Sequence, residues 1–89
     1  MRLLLAEDER SLSRALKTIL KHNNYSVDAA FDGEEALVYL ETQEYDLLIL
    51  DVMMPKKDGF EVLKTLRERK SNLPVLMLDR KSVGRERVC

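Results

Sequence analysis

The sequence has little cysteine, little net charge and no long apolar run, and each shortage excludes a class of protein. Its single cysteine, Cys89, cannot form an intramolecular disulfide. No apolar stretch approaches the roughly 18 residues of a membrane-spanning helix, and the apolar start over residues 1–5 is too short for a signal peptide. We therefore expect a cytoplasmic protein without membrane contact. The formal net charge of −1 predicts no general attraction to nucleic acid.

Short apolar runs alternate with helical patterns along the 89 residues. The runs over 3–6, 47–50 and 75–78 are continuous, as in strands buried on both faces of a parallel sheet. The run over 25–30 alternates with polar residues, which predicts a strand nearer the edge. Helices are predicted between the runs. The spacing of five residues puts them on one apolar face of the first helix: Leu12, Ala15, Leu16, Ile19 and Leu20. Asp32 and Asp58 are acidic caps at the starts of the second and third helices. The resulting order, β-α-β-α-β-α-β, predicts an α/β fold with helices on both faces of the sheet.

Three acidic residues follow two of the predicted strands. Glu7 and Asp8 come directly after the first strand, and Asp51 comes directly after the third. Ligands of open parallel sheets bind outside the carboxyl ends of the strands, so the three carboxylates converge there if these strands are neighbours. Carboxylates that close repel one another unless a cation or protons intervene, and an all-oxygen set favours Mg²⁺. Taken singly, each acid is also compatible with a solvated loop or a helix cap.

Three segments resemble the receiver domain of bacterial two-component response regulators. They are residues 3–9, 46–55 and 58–61, which read LLLAEDE, DLLILDVMMP and DGFE. The resemblance covers residues 1–78 and is strongest to regulators with a C-terminal winged-helix DNA-binding domain. It implies a flavodoxin-like, doubly wound parallel sheet with strand order 2-1-3-4, to which the family adds a fifth strand.

The resemblance also implies a role for each residue of the acidic cluster. Asp51 would be the phosphoacceptor, taking a phosphoryl group from a phosphohistidine of a sensor histidine kinase. Glu7, Asp8, Asp51 and the backbone carbonyl of Met53 would hold Mg²⁺. The chain would thus be a signalling module rather than an enzyme, and in a parent protein it would regulate transcription through a separate DNA-binding domain. This segment itself would not contact nucleic acid.

The sequence departs from the family pattern after residue 78. The family has Thr or Ser at the end of the fourth strand, and here Asp79 stands there. An ionised carboxylate has no proton to donate and would repel a phosphoryl group, so Asp79 should oppose phosphorylation. The family lysine that pairs with the phosphoryl group is not found, since Lys81 lies too early.

We interpret residues 1–78 as a partial receiver domain, truncated after the fourth strand, and 79–89 as a tail outside the family. The two parts differ in net charge, at −3 and +2. The surface that dimerises in winged-helix relatives follows the fourth strand, which makes a homodimer doubtful for this chain.

Two other functions are compatible with the same residues. One is a truncated fragment that no longer signals. The other is a Mg²⁺-dependent phosphatase with an aspartyl nucleophile. Such enzymes usually carry a second aspartate two residues after the first, and Met53 occupies that position here.

Overall fold

A computed structural model describes residues 1–79 and confirms the predicted alternation of strands and helices. Its elements are β1 (Arg2–Ala6), α1 (Arg10–His22), β2 (Ser26–Ala30), α2 (Gly33–Thr42), β3 (Leu47–Asp51), α3 (Gly59–Glu68) and β4 (Val75–Leu78). Asp51 is the last residue of β3 rather than the residue after it. The predicted tail lies outside the described residues, apart from Asp79. None of the helices in residues 1–79 has the length and hydrophobicity that a bilayer span requires.

The four strands form one parallel sheet in the order β2-β1-β3-β4, as the resemblance implies. The edge position predicted for β2 is confirmed. The register pairs Ala6 with Leu50 and Asp51 with Leu78. Consequently the carboxyl ends of β1, β3 and β4 reach the same edge of the sheet, which is where the acidic residues lie.

Apart from Arg2 and Asp51 at their ends, the central strands β1 and β3 contain only apolar residues, and helices cover both of their faces. On one face, Leu4, Leu48 and Leu50 pack with residues of α2 and α3. On the other face, Leu3 and Leu5 pack against α1. Successive side chains of a strand point to opposite faces, so neighbouring leucines enter different cores. Each buried leucine contributes roughly 2 kcal/mol to the folded state.

Acidic caps start all three helices. In α3 the cap is a full capping box, with bonds of 2.9 and 3.0 Å between Asp58 and Glu61 in both directions. Asp32 accepts a 2.8 Å hydrogen bond from the backbone N–H of Glu35 at the start of α2. Both caps agree with the sequence prediction. Glu9 caps α1 in the same way, and that cap is not apparent from the sequence, because Glu is not a favoured N-cap residue.

Helix α1 buries a narrower stripe than its sequence predicts. Leu16 and Leu20 pack against the sheet. Ala15 is exposed and Ile19 is 56% exposed, although both fall on the predicted apolar face. Leu16 and Leu20 lie four residues apart, which aligns them in one row facing the sheet. Ala15 and Ile19 form a parallel row that turns away from it.

An ionic and aromatic contact joins β1, β2 and the segment that precedes β3. The Asp28 carboxylate accepts hydrogen bonds from the Tyr45 hydroxyl at 2.6 Å and the Arg2 guanidinium at 2.9 Å. The guanidinium also lies 5.1 Å from the centroid of the Tyr45 ring. The Tyr45 hydrogen bond is the main reason that the pKa of Asp28 is lowered, and burial raises the pKa of Tyr45. The contact therefore favours the ionised form of Asp28.

Replacing Asp28 with asparagine should destabilise the fold in a pH-dependent way. A carboxyl whose folded pKa is depressed contributes stability above its unfolded pKa and loses it as pH falls through the folded one. The destabilisation by Asp28→Asn should thus be largest above about pH 5 and shrink below about pH 4. Urea unfolding of both proteins across this range measures the difference, with the exposed Glu68→Gln on α3 as the control. A difference that is constant from pH 3 to pH 7 would contradict the expectation.

Candidate functional site

The structure brings the three predicted acidic residues together at the carboxyl edge of the sheet. One carboxylate oxygen from each of Glu7, Asp8 and Asp51 lies within 4.8 Å of the others. Glu7 and Asp51 are fully buried, and Asp8 is half-buried. Glu7 extends the pairing of β1 with β2, because its N–H donates to the carbonyl of Ala30 at 3.1 Å. The pairing of β1 with β3 is what places these acids side by side.

Backbone donors orient two of the carboxylates. Glu7 accepts a 2.9 Å hydrogen bond from the N–H of Glu9, and Asp51 accepts one of 3.3 Å from the N–H of Met53. The Met53 side chain is 50% exposed, while that of Met54 is buried. The position of Met53 beside the cluster is therefore set by its backbone, not by packing of its side chain.

Gly59 allows α3 to start directly against the backbone of the site. Its N–H donates to the carbonyl of Val52 at 2.8 Å. A Cβ atom at this position would lie 2.4 Å from the Asp51 carbonyl oxygen and 2.9 Å from the Val52 Cα. Gly33, the first residue of α2, approaches the Lys57 carbonyl in the same way. In the sequence, each of these glycines follows an aspartate at a predicted helix start. That pattern predicts a helix cap, and it does not predict the close approach of the glycine to another backbone segment.

The acidic cluster opens on one side to a shallow pocket. The pocket has a volume of about 350 Å³ and is lined by Asp8, Met53, Met54, Pro55 and Asp58. The clustered side chains offer only carboxylate oxygens. Hard oxygen ligands with room for water and phosphate oxygens suit Mg²⁺, so these residues fit that ion.

Asp79, the residue at the predicted switch position, is exposed at the end of β4. Its neighbour Leu78 pairs with Asp51, which places Asp79 at the same edge of the sheet as the cluster. Because Asp79 is exposed, solvent screens its charge. Lys81 lies outside the described residues.

Comparison with known proteins decides the family. The profile of the response regulator receiver domain matches residues 3–87. The chain belongs to this family. The transcriptional regulatory protein DltR of Streptococcus agalactiae is 46% identical over 88 residues, which cover 99% of this chain and 39% of that protein. The regulator PhoP of Bacillus subtilis is 48% identical over 80 residues, which cover 90% of this chain and 33% of that protein.

A solved structure supports the same assignment. Response regulator TrrA of Thermotoga maritima, determined in complex with Mg²⁺-BeF, superimposes with a TM-score of 0.82 and 34% identity. The match covers 92% of this receiver and 73% of that chain. The flavodoxin-like fold and the assignment to two-component response regulators are confirmed. The division into a partial receiver over 1–78 and a tail over 79–89 stays a prediction. The family match does not stop at residue 78 but extends to residue 87.

Proposed function

We propose that this receiver is the phosphoacceptor module of a two-component phosphorelay and that Asp51 takes the phosphoryl group from a sensor histidine kinase. The observation that carries the proposal is the placement of Asp51. Its buried carboxylate ends β3 beside Glu7 and Asp8, at the edge of a parallel sheet where ligands bind.

The proposed step is a transfer between two nucleophiles. A carboxylate oxygen of Asp51 attacks the phosphorus of the kinase phosphohistidine, so that a P–O bond forms as the P–N bond breaks. The bonding electron pair returns to the imidazole, which takes up a proton from water. The product is an aspartyl phosphate. Apart from the attack by Asp51, the protein takes part in no covalent step. Its contribution is to position the phosphoryl group and to stabilise the charge on its oxygens.

The other residues of the cluster would hold the metal. Glu7, Asp8, Asp51 and the backbone carbonyl of Met53 would bind Mg²⁺, and the Mg²⁺-BeF complex of TrrA supports this assignment. When bound, the ion would supply positive charge that offsets the charge on the phosphoryl oxygens. The N–H of Glu9 keeps the Glu7 carboxylate turned into the cluster.

The printed names of the relatives suggest the wider context. DltR and PhoP are both transcriptional regulatory proteins, and this chain spans 39% and 33% of their lengths. A parent protein of this receiver would accordingly regulate transcription through a separate DNA-binding domain. The phosphorelay itself would operate in the cytoplasm.

Phosphorylation by a small donor tests the proposal. The full chain is incubated with acetyl phosphate, with Mg²⁺ or with excess EDTA, and analysed by intact mass spectrometry. We expect one phosphoryl group per chain with Mg²⁺, removable by hydroxylamine, and none with EDTA. Absence of modification would overturn the proposal. Repeated hydrolysis of p-nitrophenyl phosphate would instead identify a phosphatase.

Replacing Asp79 with threonine should speed phosphorylation about thirtyfold. The charge repulsion at about 5 Å in solvent is of the order of 1 kcal/mol, and a donated hydrogen bond adds a similar amount. Asp79→Ala removes the charge and adds no hydrogen-bond donor, so it should give about half of this free-energy gain. Initial rates with acetyl phosphate and Mg²⁺ measure both. If both variants stay within twofold of the original rate, Asp79 does not face the phosphoryl group.

A further inference from the structure

Another cleft lies between α1 and the end of β2. This α1 groove has a volume of about 210 Å³ and is lined by Arg10, Ser13, Arg14, Lys17, Ala29 and Phe31. None of the clustered carboxylates lines it. Its size suits a small ion with its water and is below the range of pockets for drug-sized ligands.

The charge of the groove has one sign. Helix α1 contains no acidic residue, and three of its cations line the cleft. Within residues 1–79, the ion pairs are Arg2 with Asp28 and Lys56 with Asp32, so none of the groove cations is neutralised by a contact there. Lys17 acts on Asp28 only at a distance, and the Asp28 carboxylate is already engaged by Arg2 and Tyr45.

Ser13 places an unused hydrogen-bond donor in the same groove. The residue is only 2% exposed. Its backbone N–H donates to the carbonyl of Glu9 at 2.9 Å, as a helical residue does. Its hydroxyl makes no hydrogen bond to any residue in the described part of the chain. An acceptor bound in the groove would give this hydroxyl a hydrogen-bond partner.

Arg10 is held in place over the floor of the groove. Its guanidinium carbon lies 3.9 Å from the centroid of the Phe31 ring, a close cation–π contact. Stacking restrains the guanidinium plane and leaves the N–H groups on its rim able to donate. An anion would therefore meet one cation restrained by stacking, together with Arg14 and Lys17.

We propose that the α1 groove binds a small phosphate dianion, either inorganic phosphate or the headgroup of a small phosphomonoester. Arg10, Arg14 and Lys17 supply the charge, and the Ser13 hydroxyl donates a hydrogen bond to a phosphate oxygen. This site is independent of Asp51 and of the phosphorelay proposed above.

Nuclear magnetic resonance of the full ¹⁵N-labelled chain tests this site. Sodium phosphate, or glycerol 3-phosphate in a parallel arm, is titrated at pH 8 without Mg²⁺, with ionic strength held constant by NaCl. We expect saturable amide shifts centred on Ser13, Arg14 and Phe31, with a millimolar dissociation constant. Saturation by phosphate alone identifies the free ion as the ligand, and tighter binding of the ester identifies a phosphomonoester. Absence of saturation in both arms overturns the proposal.

Matched variants distinguish specific binding in the α1 groove from a general attraction of anions to the positive charge of α1. Arg14→Gln should weaken binding about tenfold, and Ser13→Ala about threefold, since each removes one donor to the anion. Lys21→Gln makes the same change of charge on α1 at a residue that does not line the groove, and it should alter binding less than twofold. Equal weakening by Arg14→Gln and Lys21→Gln would show a nonspecific response and overturn the proposal. If Arg14→Gln loses its dispersed spectrum, Ser13→Ala and Lys17→Gln decide the question.

Discussion

Replacing Asp51 with asparagine is expected to lower the rate of phosphorylation by at least about a thousandfold, or roughly 4 kcal/mol in activation free energy. The side chain is fully buried at the end of β3, and the neighbouring carboxylates of Glu7 and Asp8 lie within 4.8 Å. An amide oxygen is a far weaker nucleophile than a carboxylate oxygen, and it brings no negative charge to a bound cation. Asparagine has nearly the same shape, so the fold should be retained.

The matched control is Asp46→Asn. Asp46 is exposed just before β3, at the opposite end of the strand, and its carboxylate accepts a 2.7 Å hydrogen bond from the N–H of Arg2. Asparagine keeps an acceptor oxygen there, so this variant should be modified at the original rate. Intact mass spectrometry after exposure to acetyl phosphate and Mg²⁺ compares the two. Undiminished labelling of the Asp51 variant would mean that another residue is the phosphoacceptor.

Replacing Gly59 with alanine should destabilise the fold by about 2 kcal/mol and weaken Mg²⁺ binding at the same time. The new Cβ would lie 2.4 Å from the carbonyl oxygen of Asp51 and 2.9 Å from the Cα of Val52. Both atoms belong to the backbone and cannot rotate away, so α3 or the end of β3 must shift. Overpacking of this kind costs about 1–3 kcal/mol or more, and the better helix propensity of alanine offsets part of it.

Thermal and urea unfolding measure the first effect, with a melting temperature lowered by roughly 10 °C for a domain of this size. Lys64→Ala provides a control on the same helix. Its side chain is exposed, so the change should stay within about 0.5 kcal/mol. Calorimetric titration with Mg²⁺ measures the second effect. Unchanged stability and unchanged Mg²⁺ affinity in the Gly59 variant would show that the loop yields without disturbing Asp51.

Local sequence signals predict the elements of this fold because those signals act over a few residues. The continuous apolar run before Asp51 indicates a strand buried on both faces, and in the structure its side chains pack into the cores on both faces of the sheet. Asp58 and Glu61 indicate a capping box, which is present. The prediction is wrong for Ile19, which is 56% exposed, because helical periodicity does not specify the width of the stripe that a neighbouring sheet will cover.

The sequence by itself determined the order of strands and helices, the parallel sheet and the acidic residues at the ends of two strands. Those features follow from apolar periodicity and from residue chemistry, both of which are local. Only the tertiary structure decided that Glu7, Asp8 and Asp51 share one site, since that depends on the pairing of β1 with β3, whose partners are 44 positions apart in the chain. It also decided that Gly59 packs against the Asp51 backbone and that Arg10, Ser13 and Phe31 line one groove. Contacts between segments distant in sequence depend on how those segments pack together. The residues of one segment alone do not specify that packing.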